Sequence, residues 1–226
     1  MTIYQSKPKQ SRREREKLQR TNEIIDAAEK RFFERGFDGV SMDNIAKDLE
    51  LSKPALYRYF SNKESLYIAV VLRGMTILNQ TFKETLAKEQ TGLGKVSGFL
   101  RALCFDYVNN HADYYRLLTV AREQRFMDLF NQGKVDGAKH FGNMALESIN
   151  LLIEALILGI QDGTVRDDLE PVQTAIFLAA AAEAALDMTP DYQVLFIQRK
   201  IRKETYLQHS IDLMLHGIAS KKLFDK

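Results

Sequence analysis

Apolar residues recur along this chain at a spacing of three to four, with no stretch of strand-like alternation, which predicts helices from near the start to near the end. From about Arg20 to Arg35, Ile24, Ile25, Ala28, Phe32 and Phe33 form one apolar face, and Gly36 supplies a stop. Ser41 then precedes MDNIAKDL as an N-cap, with Ile45, Ala46 and Leu49 as the buried stripe of a second, short helix. Ser52 offers another N-cap for a third helix from Lys53 to about Phe60, where Pro54 is tolerated because first-turn amides have no intrahelical partner. Ser61 and Glu64 have capping-box spacing and predict a fourth helix running to near Gln90, with Leu66, Val70, Ile77 and Leu78 inward.

Helices two and three are too short to persist alone in water, so packing against the first must hold them, and the three make one small unit. The glycines of TGLGKVSG, residues 91–98, mark the clearest break. Beyond it the periodicity predicts helices over Phe99 to Asn110, Asp113 to about Phe130, about Val135 to Gln161, Pro171 to Leu186 and Asp191 to Ala219. Expected is an all-α protein: a basic, flexible tail over 1–19, a small three-helix domain over 20–66 and a larger helical domain over 67–226.

Composition narrows the function. Of 226 residues, 45% are apolar and 27% charged with only 4 prolines, which excludes disorder as the default. The net charge of +2 hides an asymmetry, because the first 20 residues hold 7 basic and 2 acidic side chains, either a solvated tail or an arm drawn to polyanions. Cys104 is the single cysteine, so no internal disulfide can form and a cytoplasmic location is expected; no secretion signal or membrane span is apparent. His111, His140, His209 and His216 lack metal-ligand spacing, and no nucleophile elbow or phosphate-cradling loop occurs. No enzyme, metal or cofactor is therefore expected.

The chemistry gathers in the third helix, LSKPALYRYFSNKESL, residues 51–66. Leu56 and Phe60 lie one turn apart and belong to the core, while Lys53, Tyr57 and Arg58 point elsewhere. Lysine and arginine neutralise phosphate, a tyrosine hydroxyl donates to it, and proline can touch a thymine methyl, so two short helices with these residues on the second fit a helix-turn-helix.

The pattern A-x-x-x-F-x-x-x-G-F, then S-x-x-x-I-A, then S-K-P-A-L-Y-x-Y-F-x-x-K-E-x-L, in order over Ile24 to Leu66, resembles the DNA-binding domain of the TetR family of transcriptional regulators. The connection GIQDGTVRDDLEP is similar to the family's usual one before its dimer-forming helices. The resemblance implies that Lys53, Pro54 and Tyr57 face the major groove, that Ala55, Arg58 and Tyr59 lie along the backbone, and that Lys63 and Ser41 clamp phosphates. One position departs from the family: Glu50 stands where glycine is usual, so a side chain must accept positive φ there.

Two such helices reading one face of DNA need half-sites about 34–36 Å apart, hence a homodimer and a near-palindromic duplex operator. Ala180, Ala181, Ala184, Leu207 and Ile211 are the expected dimer interface. The resemblance further implies a small-molecule effector in a cavity of the second domain, for which Phe99, Leu103, Tyr107, Tyr115, Phe126 and Met144 are candidates, and their character favours a lipophilic or aromatic guest. The expected function is a ligand-released repressor; the alternative is a structural DNA-binding protein of the same fold with no small-molecule input.

Overall fold

In the computed structural model, which describes residues 11–221, the protein is helical throughout apart from one isolated bridge between Val165 and Ala219. Among the described residues the helices form two compact units, one of residues 11–72 with Leu117–Lys139, the other of Arg73–Arg116 with residues 140–221.

In the first unit α1 (Arg12–Arg35) begins eight residues earlier than its apolar face suggests. Ser11 and Glu14 form a capping box, in which the Glu14 amide donates to Ser11 Oγ (3.3 Å) and the Ser11 amide to Glu14 Oε2 (2.7 Å). Arg12–Glu16 and Gln19–Glu23 contacts one turn apart extend the support. Residues 12–19 are thus helix rather than tail; the rest of the expected tail, 1–10, lies outside the described residues. Ile24, Ala28 and Phe32 are fully buried in α1, which packs on α2 (Met42–Asp48), and α2 in turn packs on α3 (Lys53–Tyr57).

The expected domain end at Leu66 gives way because the next residue belongs to the same core. Tyr67 is fully buried, edge-on to Phe32 and to Phe37 (both 4.9 Å between centroids) and stacked on Phe126 (5.4 Å). Its hydroxyl donates to Leu117 O at 2.9 Å. The expected helix over 113–130 is accordingly two, α7 (Ala112–Ala121) and α8 (Gln124–Asn131). The break contains no glycine or proline; it delivers Phe126 to this cluster and Arg125 to Asp38 (3.0 Å). Helix α4 (Lys63–Leu86) is capped by Asn62, whose Oδ1 accepts from the Ser65 amide at 2.7 Å. The expected Ser61–Glu64 box is displaced by one residue, and Ser61 Oγ instead donates to Asp136 (2.8 Å).

The second unit contains the rest of α4, then α5 (Gly92–Arg101), a π-helical stretch (Ala102–Tyr107) and a last turn α6 (Val108–Asn110). The expected break over 91–98 is therefore helix from Gly92 onward: Thr91 caps α5, its Oγ1 accepting from the Gly94 amide at 3.1 Å. Gly92 is there for contact, since a Cβ on it would lie 1.9 Å from the backbone nitrogen of Gly159 in α9 (Ala138–Gln161). Helix α9 is apolar and long enough to cross a bilayer on length and composition, and it turns Leu152, Ala155, Leu156 and Gly159 into the core of the unit.

Helix α10 (Pro171–Leu186) starts with the Glu170 carboxylate accepting from the amides of Val172 and Gln173. The expected last helix over 191–219 is split into α11 (Pro190–Arg199) and α12 (Lys203–Ile218) by Lys200, whose φ of 52° ends the first piece as a left-handed cap.

Candidate nucleic-acid interface

The geometry of the first unit depends on the turn between α2 and α3. The Glu50 amide donates to Lys47 O (3.2 Å) and the Leu51 amide to Ala46 O (2.9 Å), the paired bonds of a Schellman motif with Glu50 in the position glycine usually takes. Glu50 accordingly has φ 52°. Helix α1 holds the α2 side of the turn: Arg20 donates to Leu49 O (3.3 Å), and Arg31 grips the Asp48 carboxylate with two nitrogens. The Arg31 hydrogen bonds hold the Asp48 carboxyl below its ordinary pKa.

Against this frame α3 buries Leu56 completely and Phe60 nearly so, and leaves Lys53, Pro54, Tyr57 and Arg58 exposed. Ser52 caps the helix, its Oγ accepting from the Ala55 amide at 3.4 Å, so Pro54 falls in the first turn where its missing N–H costs nothing. Ala55 and Tyr59 are half-buried. Lys53 Nζ lies 2.9 Å from Asp43 on α2, an exposed pair whose hydrogen bond raises the Lys53 pKa and contributes little to stability. Ser41 caps α2, accepting from the Asn44 amide at 3.2 Å, and remains exposed.

Lys63 differs from the phosphate clamp that the resemblance implies. Its ammonium donates to Phe37 O (3.0 Å) and Val40 O (3.1 Å) and sits 4.0 Å above the Phe37 ring, so two of its three donors tie the 37–40 loop to α4. The Phe37 carbonyl also accepts from the Val40 amide (3.4 Å), so the ammonium reinforces a turn that the backbone itself closes. A hollow beside α3 also gathers residues that sequence reasoning left in the tail: Arg13 and Lys17 line it with Glu16, Arg58 and Tyr59. The Ser11–Glu14 spacing was the available signal.

In the second unit the candidate effector residues are core. Phe99 stacks on Phe82 at 4.0 Å, Tyr115 donates to Asp187 (3.2 Å), and Leu103 and Tyr107 lie buried on the π-helical stretch. Met144 is buried on α9. Phe126 belongs instead to the aromatic cluster of the first unit, because α8 packs there. Of the expected dimer residues, Leu207 and Ile211 are buried within the single chain, leaving them unavailable to a partner, since α12 turns that stripe onto α10 and α5. Ala180 and Ala184 are exposed and Ala181 half-buried. The apolar surface that α10 presents is built of Val172, Ile176 and Phe177, which sequence reasoning missed. Among the described residues no group of three His, Cys, Asp or Glu side chains could hold a metal ion.

Residues 24–70 match the model of the bacterial regulatory proteins of the tetR family. The chain is 31% identical over 100 residues to the HTH-type transcriptional activator FasR of Mycolicibacterium smegmatis, covering 44% of this chain and 45% of that one. It is 29% identical over 111 residues to the negative transcriptional regulator IcaR of the biofilm operon icaADBC in Staphylococcus aureus strain Newman, covering 49% and 60%. The match thus spans about half the length of these curated relatives. The transcriptional regulator FadR of Bacillus subtilis, solved with stearoyl-CoA, shares the fold with a TM-score of 0.62 over 87% of this chain and 98% of that one, at 18% identity.

Proposed function

We propose that the chain is a regulator of the TetR family, whose model residues 24–70 match, and that it works in the cytoplasm as a homodimeric repressor of transcription, released from a near-palindromic operator by a small lipophilic effector. The observation that carries this reading is α3, a capped helix with its apolar residues spent on the core and Lys53, Pro54, Tyr57 and Arg58 left outward. Such side chains match the phosphates, base edges and thymine methyls of a major groove. Lys53, Pro54 and Tyr57 read bases; Ser41, Ala55, Arg58 and Tyr59 follow the backbone, while Lys63 acts mainly by fixing the loop that positions α1 against α4.

A two-fold dimer brings two such helices to one face of the duplex. Its interface uses the outer face of α10, where Val172, Ile176, Phe177, Ala180 and Ala184 are all exposed. The effector enters the apolar interior of the second unit near Leu103 and Tyr107. Support comes from the π-helical geometry at these residues, a distortion frequent at functional sites. The stearoyl-CoA bound to the FadR neighbour supports a lipophilic guest. An effector of this kind acts only through unequal affinity for two conformations, with couplings of about 1–3 kcal/mol.

The test is a titration against labelled DNA from upstream of the protein's own gene, with unrelated DNA as competitor, using the wild type and Tyr57→Ala. Competitor-resistant binding that Tyr57→Ala weakens about tenfold or more, the cost of about 1–3 kcal/mol of lost readout, is the expected result. Equal binding of both DNAs by both proteins would overturn sequence-specific regulation.

A further inference from the structure

The first two turns of α1 have no packing role. Residues 11–19 are all exposed, and the first buried side chain is Ile24. A helix without a buried face is marginal in water, yet this one is secured by the Ser11–Glu14 box and by side-chain pairs one turn apart. At about 1.5 Å per residue the eight residues before Arg20 make a post of roughly 12 Å beside α3.

The charges on the post divide into two groups. Arg12 is paired with Glu16 at 2.8 Å, and Arg20 with Glu23 at 2.6 Å. Arg13 and Lys17, one turn apart, and Arg58 at the end of α3 have no ion-pair partner among the described residues. These three line one hollow of about 440 Å³ together with Tyr59 and Glu16, and the carboxylate of Glu16 is already held by Arg12. The hollow therefore presents net positive charge, and its wall is continuous with the helix that carries Tyr57.

We propose that this hollow is a second DNA contact, a cradle in which Arg13, Lys17 and Arg58 hold a backbone phosphate outside the groove that α3 reads. The inference rests on the DNA-binding reading above. A guanidinium offers a planar fork of donors that suits phosphate oxygens, and Lys17 adds a point charge. DNA is favoured over other polyanions because Arg58 joins the cradle directly to α3, so a duplex lying on that helix passes the post.

The experiment measures the salt dependence of binding to a labelled duplex of about 30 base pairs from upstream of the gene and to one of arbitrary sequence, from about 50 to 200 mM salt. The wild type is compared with Arg13→Gln/Lys17→Gln and with Lys88→Gln, an exposed cation in the second unit. Each phosphate neutralised contributes about 0.9 to the slope of log affinity on log salt, so a dimer losing one cradle phosphate per subunit should show a slope shallower by about 1.8. Its loss of affinity across that range then shrinks on the order of tenfold, equally on both duplexes, while Lys88→Gln behaves as wild type. Helicity is checked by circular dichroism, glutamine being a good helix former. An unchanged slope in the folded double variant overturns the cradle and leaves DNA binding standing. A wild type that binds neither duplex overturns the DNA-binding reading and the cradle with it.

Discussion

Replacing Gly92 by alanine adds one methyl group at the crossing of α5 and α9. The new Cβ would lie 1.9 Å from Gly159 N, 2.2 Å from Gly159 Cα and 2.6 Å from Ala155 O, all backbone atoms that no rotamer change can move aside. Reaching ordinary contact requires the two helices to part by about 1.5 Å, an overpacking that costs about 1–3 kcal/mol. The same movement stretches two bonds that seat the start of α5, from the Gly92 amide to Asp162 Oδ2 (2.7 Å) and from the Leu93 amide to Thr164 Oγ1 (3.1 Å). Losing the charged one adds about 1.5 kcal/mol or more. The helix preference for alanine returns at most about 1 kcal/mol. The net loss of about 1.5–3.5 kcal/mol should lower Tm by roughly 3–14 °C for a protein of this size. Gly142→Ala supplies the opposite sign: a Cβ there meets nothing within 4 Å on the exposed side of α9, so a gain of about 0.4–1 kcal/mol is expected. Thermal unfolding followed at 222 nm separates the two. A Gly92→Ala protein that melts at or above the wild-type temperature would refute the close crossing.

Glu50→Gly should raise the urea midpoint, by about 0.5–1 kcal/mol in stability, because glycine takes the left-handed conformation without the Cβ clash; a lower midpoint would show that Glu50 has compensating contacts. Burial pushes the Cys104 thiol up to about 11, so iodoacetamide at pH 8 should label the protein only after unfolding, and rapid labelling of the native state would contradict its burial. Asp48 and Asp38 titrate below their ordinary value because hydrogen bonds from Arg31 and Arg125 favour the carboxylates. A depressed folded pKa gives stability that is present above the unfolded value of about 3.9 and lost as pH falls through the folded one. The urea midpoint should therefore hold from pH 7 to about pH 5 and fall below it, and Asp48→Asn should flatten that fall; an equally steep fall in the variant would sink the assignment.

What the sequence determined by itself was local. Ser41, Ser52 and Pro54 start their helices where expected, because capping satisfies amides within three residues and needs nothing distant. The positive φ at Glu50 was legible only through the family resemblance, which puts glycine at that position. Leu56 and Phe60 were assigned to the core from periodicity alone, and so was the extent of α10. Periodicity was silent where a partner far along the chain decides. It gave α7 and α8 as one helix, because nothing in residues 113–130 announces that Phe126 must turn toward Phe37 and Tyr67. It joined α11 to α12 across Lys200; likewise the expected boundary at Leu66 left out Tyr67, which shares the core of the first unit, and the glycines of 91–98 marked a break although one of them allows two helices to touch. Leu207 and Ile211 make the limit clearest. A helical repeat tells which face is apolar, but an apolar face gains the same free energy against any dry surface, so only the tertiary structure decides that α5 and α10 of the same chain cover it.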